Sequence, residues 1–71
     1  MTATDDVRDE LFTTLLRKIE RDPYPSSTMM DMIEQLADDE QRAQYARVLM
    51  EKVAQDEYPS LDLIRRVQAL C

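Results

Sequence analysis

Glycine, histidine and tryptophan are absent from the sequence, and cysteine occurs once, at the last position. Without histidine, and with Cys71 as the only thiol, the usual general-base and nucleophile sets cannot be assembled, and no serine sits in a nucleophile context. The same absences remove Glu-x-x-His and Cys/His metal spacings, and the lack of glycine removes the phosphate-cradling loop. An enzyme, a metal protein or a cofactor-binding protein is therefore not the expectation. A single thiol permits no internal disulfide and fits a reducing compartment. The missing glycine, with only three prolines, also argues against strands, whose tight turns recruit glycine or asparagine.

Long apolar runs are lacking too. None approaches the ~20 residues that cross a bilayer, and the first six residues carry acids where a signal peptide would carry bases, so a cytoplasmic, non-membrane protein is expected. Net positive charge is absent: at −6 the chain repels phosphate, and only Arg65 and Arg66 cluster. A helix-turn-helix reader of DNA, suggested by short helices after tight turns, is the weaker alternative, and nucleic acid is a disfavoured partner.

What is present is a repeat. The tripeptide Tyr24-Pro25-Ser26 recurs as Tyr58-Pro59-Ser60, 34 positions on. Sliding the chain by that interval lays residues 4–37 on 38–71. Identities then fall at Arg8/Arg42, Leu15/Leu49, Lys18/Lys52, Asp22/Asp56 and Leu36/Leu70, with apolar matches at Leu11/Tyr45, Phe12/Ala46, Leu16/Met50, Ile19/Val53, Met29/Leu63, Met30/Ile64 and Ile33/Val67. Matches at helical spacing are what a shared buried face requires. The expectation is one all-α domain over residues 1–71, four helices arranged long-short-long-short as two tandem αα-hairpins in a compact bundle.

In the first long helix Thr4 is the expected cap, and Asp5, Asp6, Asp9 and Glu10 load the positive end of the helix dipole. Val7, Leu11, Phe12, Leu15, Leu16 and Ile19 form its apolar stripe. Pro23 and Pro25 end it. Tyr24 is expected to fold its ring back on the stripe. Ser26 or Thr28, the latter in a capping-box arrangement with Asp31, should start the second helix, which turns Met29, Met30, Ile33 and Leu36 inward. Asp38 with Gln41 reads as the capping box of the third helix, whose stripe is Tyr45, Ala46, Leu49, Met50 and Val53. Leu63, Ile64, Val67 and Leu70 should face the core from the fourth, over about Leu61 to Leu70.

The 34-residue period is also that of tetratricopeptide repeats, but the Trp, Leu-Gly and late Pro of that pattern are missing, so the likeness is only to stacked hairpins in general. A second likeness lies at Ser60-Leu61-Asp62-Leu63-Ile64, which resembles the phosphopantetheine attachment stretch of acyl carrier proteins. Pro59 stands where that family has Asp, and the repeat partner Ser26 already explains Ser60 as a helix cap.

Function is expected where the halves differ. Met32 is opposite Arg66, Val48 opposite Thr14, and Leu61 opposite Ser27; Arg65 and Arg66 replace Asp31 and Met32. Met32, Val48, Leu61, Arg65 and Arg66 are therefore the candidate contact residues of a small acidic, non-enzymatic protein–protein interaction or regulatory module, an inhibitor or antitoxin-like cover for a basic site included. The short helices would carry opposite electrostatic faces, suited to self-association, including a homodimer, or to an acidic partner.

Overall fold

The computed structural model describes residues 3–70, with side chains from residue 6 onward. It contains helix α1 (Ala3–Arg21), α2 (Ser27–Leu36), α3 (Asp39–Gln55) and α4 (Leu61–Leu70), and no strand among the described residues. The expected all-α, long-short-long-short order is the order observed. The Thr4 cap is corrected: the helix already includes Ala3, so Thr4 lies inside the first turn, and its side chain is outside the described residues.

Helix starts follow from short polar side chains that replace missing backbone partners. Ser26 Oγ accepts the Met29 N–H at 3.2 Å, and Ser60 Oγ accepts the Leu63 N–H at 3.1 Å. Thr28 is therefore not the cap, and Asp31 is left available for another partner. At α3 the capping box forms as read: Asp38 Oδ1 accepts the Gln41 N–H at 2.8 Å and the Asp38 N–H donates to Gln41 Oε1 at 3.0 Å. Each corner before a short helix is an Asx turn. Asp22 Oδ1 accepts the Tyr24 N–H at 2.9 Å, and Asp56 Oδ1 accepts the Tyr58 N–H at 3.1 Å.

Phe12, Ile19, Met30, Ile33, Ala37, Tyr45, Leu49 and Leu63 form the core, and Leu15, Leu16, Met29, Leu36, Val53, Val67 and Leu70 pack around it. Met30 is thus a core residue and Met29 a partly covered one. At about 1.5–3 kcal/mol for each large side chain removed from water, these residues carry the fold. A single Ile33→Ala, costing about 2–5 kcal/mol, would consume most of what a core of this size supplies.

Two expectations about the stripes are corrected. Val7 and Leu11 are exposed, because among the described residues nothing packs on that side of α1. Met50 is exposed as well, since it faces away from α1 on the outer side of α3.

The two hairpins lie side by side with α1 against α3. Gln41 Nε2 at the start of α3 donates to Asp9 Oδ1 near the start of α1 at 3.0 Å, and Lys52 Nζ near its end donates to the carbonyls of Glu20 at 3.0 Å and Asp22 at 2.7 Å. These contacts join start to start and end to end, so α1 and α3 run parallel. Lys52 places its charge on the carbonyl end of the neighbouring helix, where the dipole favours a cation.

Candidate interaction surfaces

The charge arrangement between the short helices differs from the expectation. Arg66 does not present itself to a partner: its side chain is 12% exposed and lies between α4 and α2. Nη1 meets Glu34 Oε2 at 2.7 Å and Asp31 Oδ1 at 2.9 Å, Nε meets Asp62 Oδ2 at 2.9 Å, and Nη2 donates to the Ser27 carbonyl at 3.4 Å. Arg66 is therefore engaged as an internal strut between the short helices. The opposite charges of the short helices satisfy each other within the chain. Burial alone would lower the guanidinium pKa, but its bonds to Asp62, Glu34 and Asp31 outweigh that and hold it above the ordinary value.

Glu34 also accepts the buried Tyr45 hydroxyl. Burial first, then this bond and the carboxylate charge, push the Tyr45 pKa well above the usual phenol value, with Arg66 opposing. Arg42 Nη2 donates to the Glu34 carbonyl at 3.4 Å. Glu34 thus collects three groups from the second hairpin. Nothing in the sequence marks Glu34, because its counterpart 34 positions on, Gln68, carries no charge; the Lys18/Lys52 identity is the available clue to the Lys52 contact.

Val48 is half-buried and shares its helical stripe with Gln41, Tyr45 and Lys52, whose polar groups reach the first hairpin. Met32, 56% exposed, Leu61, 69% exposed, and Arg65 remain on the outside.

Three surfaces are left open. The first is the corner end, where Tyr24 and Tyr58 stand 85% and 84% exposed beside a cleft of about 160 Å³ between the two Tyr-Pro-Ser corners. The fold-back expected for Tyr24 does not occur, because the Asx turn directs the corner outward and Met30 and Leu63 already fill the space beneath. The second is the outer side of α1, where the exposed Val7, Leu11, Thr14 and Lys18 recur at helical spacing; Met32 is the exposed large apolar residue of α2. The third, on the outer side of the second hairpin, is a shallow groove lined by Ala43, Ala46, Met50, Ala54 and Val67, with Arg47 and Glu51.

No helix among the described residues is long and apolar enough to cross a membrane. Comparison with family models, curated proteins and solved structures finds no match to the chain.

Proposed function

We propose that the chain is a small, acidic, non-enzymatic interaction module of the cytoplasm, a duplicated helical hairpin whose two outer faces take protein partners. One observation carries this reading. Apart from the corner tyrosines, every large apolar side chain left exposed among the described residues is Val7, Leu11 or Met32 on the first hairpin, or Met50 or Leu61 on the second. Apolar residues scattered singly need no explanation, whereas grouped ones mark contact sites.

The other readings draw less support. For a nucleic-acid reader, suggested by short helices after tight turns, the net charge of −6 already opposes phosphate, and of the adjacent Arg65 and Arg66 the second is engaged with three carboxylates. Ser60, the residue that resembled a carrier attachment point, spends its hydroxyl as the cap of α4.

The test is capture of proteins from lysate by the wild-type chain and by two surface variants, Val7→Glu with Met32→Glu, and Met50→Glu with Leu61→Glu. All four positions are exposed, so the melting temperature should hold while captured partners fall away. An unchanged set of captured proteins in both variants would remove the reading.

A further inference from the structure

We propose that the partner of each outer face is a second copy of this chain, joined head to tail: the Val7, Leu11, Met32 face of one copy seats on the Ala43, Ala46, Met50 groove of the next. This rests on the interaction reading above and names its partner. The junction between the two hairpins supplies the template. In it, Gln41 and Lys52 of α3 reach α1, Tyr45 of α3 and Arg66 of α4 reach α2, and Val48 falls on the same α3 stripe by helical spacing. Thirty-four positions earlier, the same stripe reads Val7, Leu11, Thr14, Lys18, with Met32 in place of Arg66, and it is open.

The receiving side has changed in step. Gln41 meets Asp9 inside the chain; their counterparts are Val7 and Ala43, both apolar. Tyr45 and Arg66 meet Glu34; their counterparts Leu11 and Met32 would meet Gln68, which carries no charge to strand. Arg66 also meets Asp31, whose counterpart is Arg65, with an aliphatic stem for Met32 to cover. Ser27 donates to Asp62 at 3.4 Å; their counterparts are Leu61 and Thr28. Loss of polar groups on one side only would leave buried charges unpaired, a cost that selects against contact. Here Arg66 and the acids it meets were replaced together, Arg66 by Met32, Glu34 by Gln68, Asp62 by Thr28 and Asp31 by Arg65, so the second junction needs no buried ion pair; Thr14, in place of Val48, and Arg65 are the polar groups it would have to accommodate.

Two polar contacts are kept, both to backbone carbonyls: Arg42 meets that of Glu34, and its counterpart Arg8 is unchanged. Lys52 binds backbone carbonyls of Glu20 and Asp22, acceptors that do not depend on the side chain, and Lys18 stands ready for the carbonyls of Ala54 and Asp56 at the end of α3 in the next copy. Two unlike faces at opposite sides of the chain make a heterologous contact, which continues from copy to copy unless the rotation closes a ring. Stacked-hairpin proteins grow by this addition of units within one chain.

Sedimentation velocity under reducing conditions, across micromolar concentrations, tests the proposal. The wild-type chain should pass through successive multiples of its mass as concentration rises. The variants Val7→Glu with Met32→Glu and Met50→Glu with Leu61→Glu should each remain monomeric, with association weakened by about a hundredfold or more. Mixed in equal amounts they should form a dimer and nothing larger, since one intact face of each kind remains. Both variants carry the same charge, so their blocked faces cannot attract each other. Leu11→Ser and Ala46→Arg form a second pair should either variant melt early. A wild-type monomer at every concentration, or a mixture that stays monomeric, overturns the proposal. If that monomer still captures other proteins through these faces, the interaction reading survives alone; if it captures none, both fall.

Discussion

The Arg66 guanidinium of α4 lies 2.7 Å from the Glu34 carboxylate of α2, and that carboxylate also accepts the Tyr45 hydroxyl of α3. One acid therefore ties three helices from two hairpins. Replacing Arg66 by Met, the residue found at the corresponding position 32, leaves Glu34 half-buried beside a phenol with no cation. The expected loss is about 2 kcal/mol, below the 3–5 kcal/mol typical of a broken buried pair because Asp31 and Asp62 stay in water. In a domain of this length that lowers the melting temperature by roughly 8–16 °C. Adding Glu34→Gln should recover part of the loss, and thermal melts of the single and double variants check it.

Tyr45 makes stability sensitive to alkali. Its folded-state pKa lies above the unfolded value because burial and the Glu34 carboxylate both disfavour the phenolate. Above pH ~10 the unfolded chain releases this proton while the folded chain keeps it, so the contribution is complete below that pH and is lost as pH rises past it. In a Tyr24→Phe, Tyr58→Phe background, tyrosinate absorbance reports Tyr45 alone and should appear together with loss of helical ellipticity. Phenolate absorbance in a chain that keeps its helices would contradict the buried hydroxyl. Tyr45→Phe should cost about 1 kcal/mol at neutral pH and flatten the alkaline decline.

The capping box at α3 does two tasks, since Gln41 accepts the Asp38 N–H and donates through its amide to Asp9 of α1. Gln41→Ala removes the reciprocal cap and the cross-hairpin bond, and about 1 kcal/mol of stability is expected to go with them. Gln41→Glu should retain the cap but place a carboxylate against Asp9, so it should be less stable than wild type at neutral pH and approach it in acid. Urea titrations at the two pH values separate the cap from the bond.

The helices were legible in the sequence because local chemistry decides them. Asp38 with Gln41, the Ser caps and the Tyr-Pro corners act within a few residues of themselves, and all occur where the pattern put them. What the pattern could not give was the direction of side chains between hairpins. Arg66 looked like a surface charge because its acids, Asp31 and Glu34, are more than thirty positions away and on another helix. Met50 looked like core because the period of α3 does not say which of its sides lacks a neighbour, and Tyr24 looked half-buried because the space it would fill is already taken. Of the candidate contact residues, Met32, Leu61 and Arg65 are exposed, Val48 is half-buried, and Arg66 is engaged with acids of both short helices.

Lys52 and Lys18 occupy corresponding positions and should fail in different assays. Lys52 Nζ holds the carbonyls of Glu20 and Asp22, so Lys52→Met removes a charge-assisted contact at the end of α1 and should lower monomer stability by about 0.5–1 kcal/mol. Among the described residues Lys18 makes no such bond, and Lys18→Met should leave the melt of the dilute chain unchanged. If copies stack as the hairpins do, the same substitution weakens association by several-fold, because the carbonyl end of α3 in the next copy loses its cation. Sedimentation of Lys18→Met beside its thermal melt separates the two effects. Weakened association with an unaltered melt places Lys18 at the contact between copies, whereas an altered melt with unaltered association assigns it to the fold of its own hairpin.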